Sequence, residues 1–300
     1  MLYTSLMQTA RLAIVGDTQR VLPVERLAFL RETNDDGRRR IARAILADQL
    51  DGIVHLGDVI GSASGWGRFD QVYPPSELSN KQFQVCRGNH DCGGLWFGSP
   101  REFNQRFPKA VAGLQVLDLG VLRVLLLDTN KKSMSEEQWY SQLTHFQGAL
   151  AAASADIKVN HVIAAGHHPP FTNGRWHQPC QAVFNSFVRP FLECPKARAF
   201  FAGHVHGYER FAIEERSFVV SGGGGGARFN HLHGDKRRLP GELDLTDPNP
   251  LHYVLVEANA DSVTCTVRAI DHRNGEWVEL DHWSMRQGEI TPVTSCHQTS

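Results

Sequence analysis

Five short motifs concentrate the side chains that could hold metal ions: Gly16-Asp17-Thr18-Gln19, Gly57-Asp58, Gly88-Asn89-His90-Asp91, Gly166-His167-His168-Pro169 and Gly203-His204-Val205-His206. Carboxylate and amide oxygens suit hard ions such as Mn or Mg, and imidazoles suit Fe, Zn or Mn. A mixed set therefore suits two ions side by side, with one carboxylate as a bridge. Taken singly, each motif is ordinary: Gly-Asp after a strand is common loop chemistry, and Gly and Asn are turn residues that tolerate positive φ. The argument for a site rests on the five arriving together.

Each motif follows an apolar run that reads as a strand. Leu12 to Val15 stops at Gly16-Asp17, Gly52 to Leu56 at Gly57-Asp58, and Gln82 to Cys86 leads into Gly88-Asn89-His90-Asp91. Val159 to Ala165 ends at Gly166-His167, and Arg198 to Ala202 at Gly203-His204. Between the first two strands, Asp36 to Leu50 carries Ile41, Ala42, Ile45 and Leu46 at helical spacing, with Asp35 or Asp36 as N-cap. A strand, a helix and a strand in that order make a βαβ unit, whose loops share the sheet edge where ligands bind. Val121 to Leu127 is a further buried strand, ending at Asp128-Thr129-Asn130. Ser135 to Ser154 is a helix in which Trp139, Leu143, Phe146 and Leu150 are core. Gln181 to Glu193 reads as a helix interrupted near Pro190.

From about residue 218 the alternation of strands and helices stops. Phe218 to Val220, His252 to Val256, Ser262 to Ile270 and Glu276 to Trp283 read as strands without intervening helices. They imply a second, antiparallel sheet that completes a layered sandwich, with residues 1–300 forming a single domain and the antiparallel strands occupying 218–285. Gly61 to Asn80 and Phe171 to Pro179 read as irregular walls of the site, Arg175 and His177 in the second being candidate phosphate contacts.

Composition narrows the partners. Lys and Arg number 31 against 32 Asp and Glu, so no global field draws the chain to nucleic acid or an anionic membrane. No apolar window is long enough to span a bilayer, and Met1 to Ala10 lacks the charged leader of a signal peptide. The cysteines show no CxxC spacing, which suits reduced thiols and a cytoplasmic location; Cys86 and Cys92 are the pair that could cross-link.

In this order the motifs resemble those of the calcineurin-like metallophosphoesterases, including the purple acid phosphatases. They span residues 16 to 206, and the glycine-rich loop carries the likeness to about residue 226. Tyr208-Glu209-Arg210 and the His-x-Pro setting of His167 are similar to the acid-phosphatase branch, which selects His167 over His168 as ligand. The resemblance implies an α/β fold: a four-layer αββα sandwich of two mixed β-sheets flanked by helices, with the metal site at the carboxyl ends of the strands. It also implies two metal ions, drawn from Mn, Fe, Mg and Zn. Asp17 and His206 would hold one, Asn89, His167 and His204 the other, and Asp58 would bridge. A hydroxide between the ions would attack phosphorus in line, with His90 as general acid and Asp91 orienting its ring. The implied activity is hydrolysis of a small phosphorylated substrate. A monoester is preferred for the acid-phosphatase-like setting, and a small diester such as a cyclic nucleotide is the alternative. A non-catalytic binding scaffold on the same fold is the alternative of another class, and the retained His90 and full ligand set count against it.

Two departures from the family pattern stand out. Gln19 occupies the place of a frequent histidine; its neutral, hard oxygen remains a ligand and favours Mn or Fe over Zn. Gly61 stands where the purple enzymes carry an iron-binding tyrosine, so no purple colour is expected. Ser221 to Gly226 lacks the Lys-[Ser/Thr] ending of a phosphate cradle and reads as a flexible turn whose bare backbone passes close to the site. His231-x-His233, in a polar loop, reads as solvated.

Overall fold

In the computed structural model, which describes residues 9–21, 26–27, 31–62, 65–93, 100–243, 245, 249–286 and 289–291, the first apolar runs become parallel neighbours. β1 (Ala10–Val15), β2 (Gly52–His55) and β3 (Gln82–Val85) lie side by side. A second parallel set is built from β5 (Leu122–Leu126), β6 (His161–Gly166), β7 (Ala197–Ala202) and β9 (Arg216–Ser221), edged by the antiparallel β4 (Gln115–Leu119) and β8 (Tyr208–Ile213). The parallel strands of the second set are nearly continuous apolar runs because both of their faces are covered.

The C-terminal strands do not form a sheet of their own. β10 (Leu251–Ala258) pairs antiparallel with β1, and β11 (Ser262–Ile270), β12 (Trp277–Arg286) and β13 (Glu289–Thr291) follow outward from it. Among the described residues the sheets are thus β13-β12-β11-β10-β1-β2-β3 and β4-β5-β6-β7-β9-β8, both mixed. Phe218 to Val220 departs from the sequence reading: it lies in the second sheet, parallel to β7. Its two buried faces, rather than a period of two, are the reason.

Leu12, Ile14, Val54, Val254 and Val256 of one sheet meet Val124, Leu126, Ile163, Ala165 and Phe201 of the other in a shared core. Burying each such side chain fully contributes roughly 1.5–3 kcal/mol. Outside the first sheet the helix Asp35–Ala47 covers Ala13, Val15 and Ile53 with Ile41 and Ile45. Outside the second, the helix Glu136–Ala155 packs Trp139, Phe146 and Leu150 beside Phe187 and Phe191, and Leu143 is partly buried there. Helix, sheet, sheet, helix is the four-layer αββα arrangement.

Several local readings change. The segment Gln181–Val183 runs through a π-helical stretch, Phe184–Val188, into Arg189–Glu193, so the irregularity precedes Pro190. The helix Asp35–Ala47 has Asn34 at its cap position without a side-chain bond, and Asp35 instead accepts from Arg20 Nε. Gly61 to Asn80 is helical rather than irregular: it holds the helices Trp66–Val72 and Pro75–Leu78, Trp66, Phe69 and Tyr73 are buried core, and of its described residues Gly61 lines the cleft. The five described cysteines, Cys86 and Cys92 among them, are free thiols. Cys296 and most of the stretch Met1 to Ala10 lie outside the described residues.

Candidate metal centre

The motif-bearing loops leave the carboxyl ends of β1, β2, β3, β6 and β7 and converge on one edge of the sandwich. Three of the residues at that edge hold a left-handed backbone, Asp17 at φ 59°, Asp58 at 54° and His204 at 70°. Such conformations cost on the order of 1 kcal/mol or more in a non-glycine residue and cluster at functional sites. Glycine makes room for them: a Cβ on Gly57, itself at φ +95°, would meet Gly88 N at 2.7 Å and His167 Nδ1 at 2.8 Å.

The side chains then fall into contact. Asp17 is fully buried; its carboxylate accepts the His204 N–H at 2.9 Å, and its Oδ1 lies 3.4 Å from His206 Nε2. Asp58 Oδ1 accepts the His90 N–H at 2.9 Å. Its Oδ2 lies 3.3 Å from Gln19 Nε2, 3.5 Å from His167 Nε2 and 3.7 Å from His90 Nε2, the central place a bridging oxygen would take. Asn89 Oδ1 is 3.0 Å from His167 Nε2, which is 3.2 Å from His204 Nδ1.

The proton positions follow from the partners. His167 Nδ1 faces the Leu56 carbonyl at 2.9 Å, and His206 Nδ1 faces the Ala227 carbonyl. A carbonyl only accepts, so both rings carry their proton on Nδ1 and turn the Nε2 lone pair into the site. His167 Nε2 thus points a lone pair at an amide oxygen and a carboxylate, an acceptor facing acceptors. A cation between them makes this arrangement favourable. Gln19 Oε1 is buried without a hydrogen-bond partner, a further oxygen that a cation would satisfy. By these tests the donor set fits a pair of divalent ions.

The electrostatics agree. Burial raises the Asp17 carboxyl above its ordinary range, and burial with the nearby Asp17 and Asp91 raises Asp58 well above it. Burial and the neighbouring imidazoles push His167 and His204 well down, leaving them neutral, the form that ligates.

The structure gives Asp91 a different task from the one the sequence suggests. Its carboxylate does not orient the His90 ring but accepts the backbone N–H groups of Gly88 at 2.9 Å, Asp58 at 2.9 Å and Val59 at 3.1 Å, so it braces the two loops. His90 is half-buried at the cleft, and burial, then His206 and Arg31, push its ring down to about 4. His168 stays beside the cluster: its ring lies 4.6 Å from that of His204, its ligand atom falls within 4.8 Å of those of His167 and His204, and its Nδ1 lies 3.0 Å from Thr129 Oγ1.

The glycine-rich loop is packed rather than free. Gly224 N–H donates to Gly16 O and Gly226 N–H to Asp17 O, both at 2.8 Å, and a Cβ on Gly226 would meet the His206 ring at 2.7 Å. Its backbone does pass beside the site. His231 is buried, not solvated, with Nδ1 3.1 Å from Asn249 Nδ2.

The cleft above the cluster measures about 340 Å³. His177 lines it, as expected of the second wall; Arg175 does not, its guanidinium lying over the Trp176 ring. Arg20 and Arg31 supply the cationic rim that the sequence reading missed. Phe229 was missed as well: it stacks on His206 with centroids 4.3 Å apart and carries Arg31 on its ring. Arg20 directly follows the first motif, whose ligand pattern stops at Gln19, and neither Arg31 nor Phe229 follows a strand end, so no motif marks any of the three. Thr129 and Asn130 do follow one. The Thr129 hydroxyl accepts the N–H groups of His167 and His168, and Asn130 Nδ2 donates to Arg87 O. A Cβ at Gly61, on the cleft wall, would stand 3.0 Å from Arg20 O.

A family model described as calcineurin-like phosphoesterase matches residues 10–208. No curated protein sequence matches the chain. Among solved structures, a purple acid phosphatase from yellow lupin (Lupinus luteus) is similar at 17% identity and a TM-score of 0.62, over 99% of this chain and 58% of that one. A dimetal phosphatase from Danio rerio is similar at 13% identity and TM-score 0.61, over 93% and 99%. GAP50, the anchor in the inner membrane complex of Plasmodium, is similar at 10% identity and TM-score 0.60, over 93% and 89%. At these identities the likeness is one of fold, and this chain spans 58% of the lupin enzyme.

Proposed function

Because this chain belongs to the calcineurin-like phosphoesterase family, we propose that it is a metal-dependent hydrolase of phosphate esters whose centre is the cluster at the strand ends. The observation that carries this reading is the His167 ring, whose Nε2 faces Asn89 Oδ1 at 3.0 Å and Asp58 Oδ2 at 3.5 Å with its only proton committed to Leu56 O. Asp17, Gln19 and His206 would hold one ion, Asn89, His167 and His204 the second, and Asp58 would bridge both. When bound, two such ions supply Lewis acidity and lower the pKa of water to near neutrality. Gln19 in place of an imidazole favours Mn or Fe.

The remaining residues place the ester and move a proton. Arg20, Arg31 and His177 line the cleft above the ions; the arginines would steer the anionic phosphoryl group, and His177, held neutral by burial, would hydrogen-bond it. His90 would donate a proton to the leaving alkoxide. Its ring is held neutral by burial, so the phosphoryl charge of a bound ester would have to draw the proton onto it first. Monoesters are the preferred substrates and small diesters the alternative. The free thiols support a cytoplasmic location, and the core shared by both sheets supports reading residues 1–300 as one domain.

The test is hydrolysis of nitrophenyl phosphate against its bis ester after loading with Mn, Fe, Mg or Zn, beside Asp58→Asn and His204→Ala. We expect the monoester to be favoured, and both variants to lose metal and turnover. Unchanged metal content and hydrolysis in the variants would sink the reading. A metal-loaded protein that cleaved no ester would favour a binding scaffold.

A further inference from the structure

The turns that carry Asp17 and Asp58 interlock through their backbones, Asp17 N–H donating to Gly57 O at 3.0 Å and Gln19 N–H to Asp58 O at 3.2 Å. Between them lie two fully buried side chains that reach neither the cleft nor the cluster, His55 and Thr18. Gly57 N–H sits 3.1 Å from His55 Nδ1. An N–H can only donate, so Nδ1 accepts and the neutral ring carries its proton on Nε2. That nitrogen lies 2.9 Å from Thr18 Oγ1, which in turn donates to Val59 O at 3.2 Å. The chain of bonds runs in one direction, uses both ring nitrogens and the hydroxyl, and ties residue 18 to residues 57 and 59. Burial drives the ring down to about 3, which keeps Nδ1 available as an acceptor.

Filling this space needs only apolar atoms, as the neighbouring Ile53, Val54 and Leu56 show. A buried imidazole and hydroxyl are costly unless bonded, and here every bond they make goes to the loops that present Asp17, Gln19 and Asp58. Two of those residues hold the left-handed backbone that persists only where surroundings enforce it. We propose that His55 and Thr18 are positioning residues for the metal pair, setting the separation of Asp17 and Gln19 from the bridging Asp58 while touching neither ion nor substrate. This rests on the metal reading of the site given above.

Thr18→Val keeps the shape and removes the hydroxyl; Thr18→Ser restores it. Mn(II) affinity is measured by chelator competition, with the melting temperature of the chelated protein alongside. Loss of partners behind ligands typically lowers metal affinity by about 10- to 100-fold, and we expect Thr18→Val to show a loss of that size and Thr18→Ser to recover most of it. A Thr18→Val protein that melts lower when chelated, yet binds Mn(II) as tightly as the wild type, would overturn the inference alone and leave a packing role. A wild type that takes up no Mn(II), Fe or Zn would instead overturn the proposed function and this inference with it.

Discussion

Asn89 turns its amide oxygen toward His167 at 3.0 Å, while its neighbour His90 faces the cleft and Asp91 faces inward to three backbone N–H groups. In the proposed reading, three consecutive side chains would serve ligation, proton transfer and loop geometry. The division predicts different losses. Asn89→Ala should bind metal more weakly. His90→Ala should keep its metal and lose turnover by roughly 10²- to 10⁴-fold, the usual contribution of a general acid. Metal analysis of both proteins beside their rates checks this; a His90→Ala protein that lost metal and kept its rate would show the roles to be reversed.

At the scale of elements, the 171–179 loop that brings Trp176 and His177 to the cleft is anchored by β8. Glu209 accepts the Thr172 hydroxyl and the Asn173 N–H. Burial raises its carboxyl from 4.5 to about 7. A raised folded value means that its contribution to stability is fully present below about pH 4.5 and is lost as pH rises through about 7. The difference amounts to roughly 3 kcal/mol at 1.36 kcal/mol per pKa unit. Glu209→Gln imitates the protonated form, so in the presence of chelator it should match the wild type near pH 4.5 and melt higher above pH 7. Melting temperatures whose difference stays constant across that range would show that folding leaves the Glu209 carboxyl at its ordinary value.

Across the whole molecule, the two sheets are joined by apolar packing and by several buried polar ties, among them Ser221 Oγ to His252 Nε2 at 3.1 Å, Gln115 Nε2 donating to Val85 O at 2.9 Å, and a cluster around Asp281. Asp281 of β12 accepts from the Tyr208 hydroxyl at 2.7 Å and from Arg210 Nε at 2.7 Å, both on β8, and Arg210 lies over the Trp283 ring. Removing one member of a buried pair strands the other. Asp281→Ala should therefore lower unfolding free energy by about 3 kcal/mol, measured by urea denaturation. Arg210→Met combined with Asp281→Leu should recover much of that loss. A change below about 1 kcal/mol in Asp281→Ala would place the pair among those that act as exposed ion pairs.

The strand-end motifs were legible because a metal centre demands particular side chains, Asp, Asn and His, immediately after buried runs, and both signals are local in the chain. The helix Glu136–Ala155 and its core residues were legible for the same reason of short-range period. The allegiance of the C-terminal strands was not: a pattern of alternating burial says that a strand has a core face and leaves its partner open. β10 sits on β1 because that edge of the first sheet is the one it completes. Asp91, His55 and Thr18 read as an acid beside a histidine, a strand residue and a turn residue, and only tertiary contacts show all three gripping the metal loops. By itself, then, the sequence determined the fold class and which side chains gather at one sheet edge. The tertiary structure decided which of them face one another, because hydrogen-bond partners, packed glycines and left-handed turns depend on neighbours far apart in the chain.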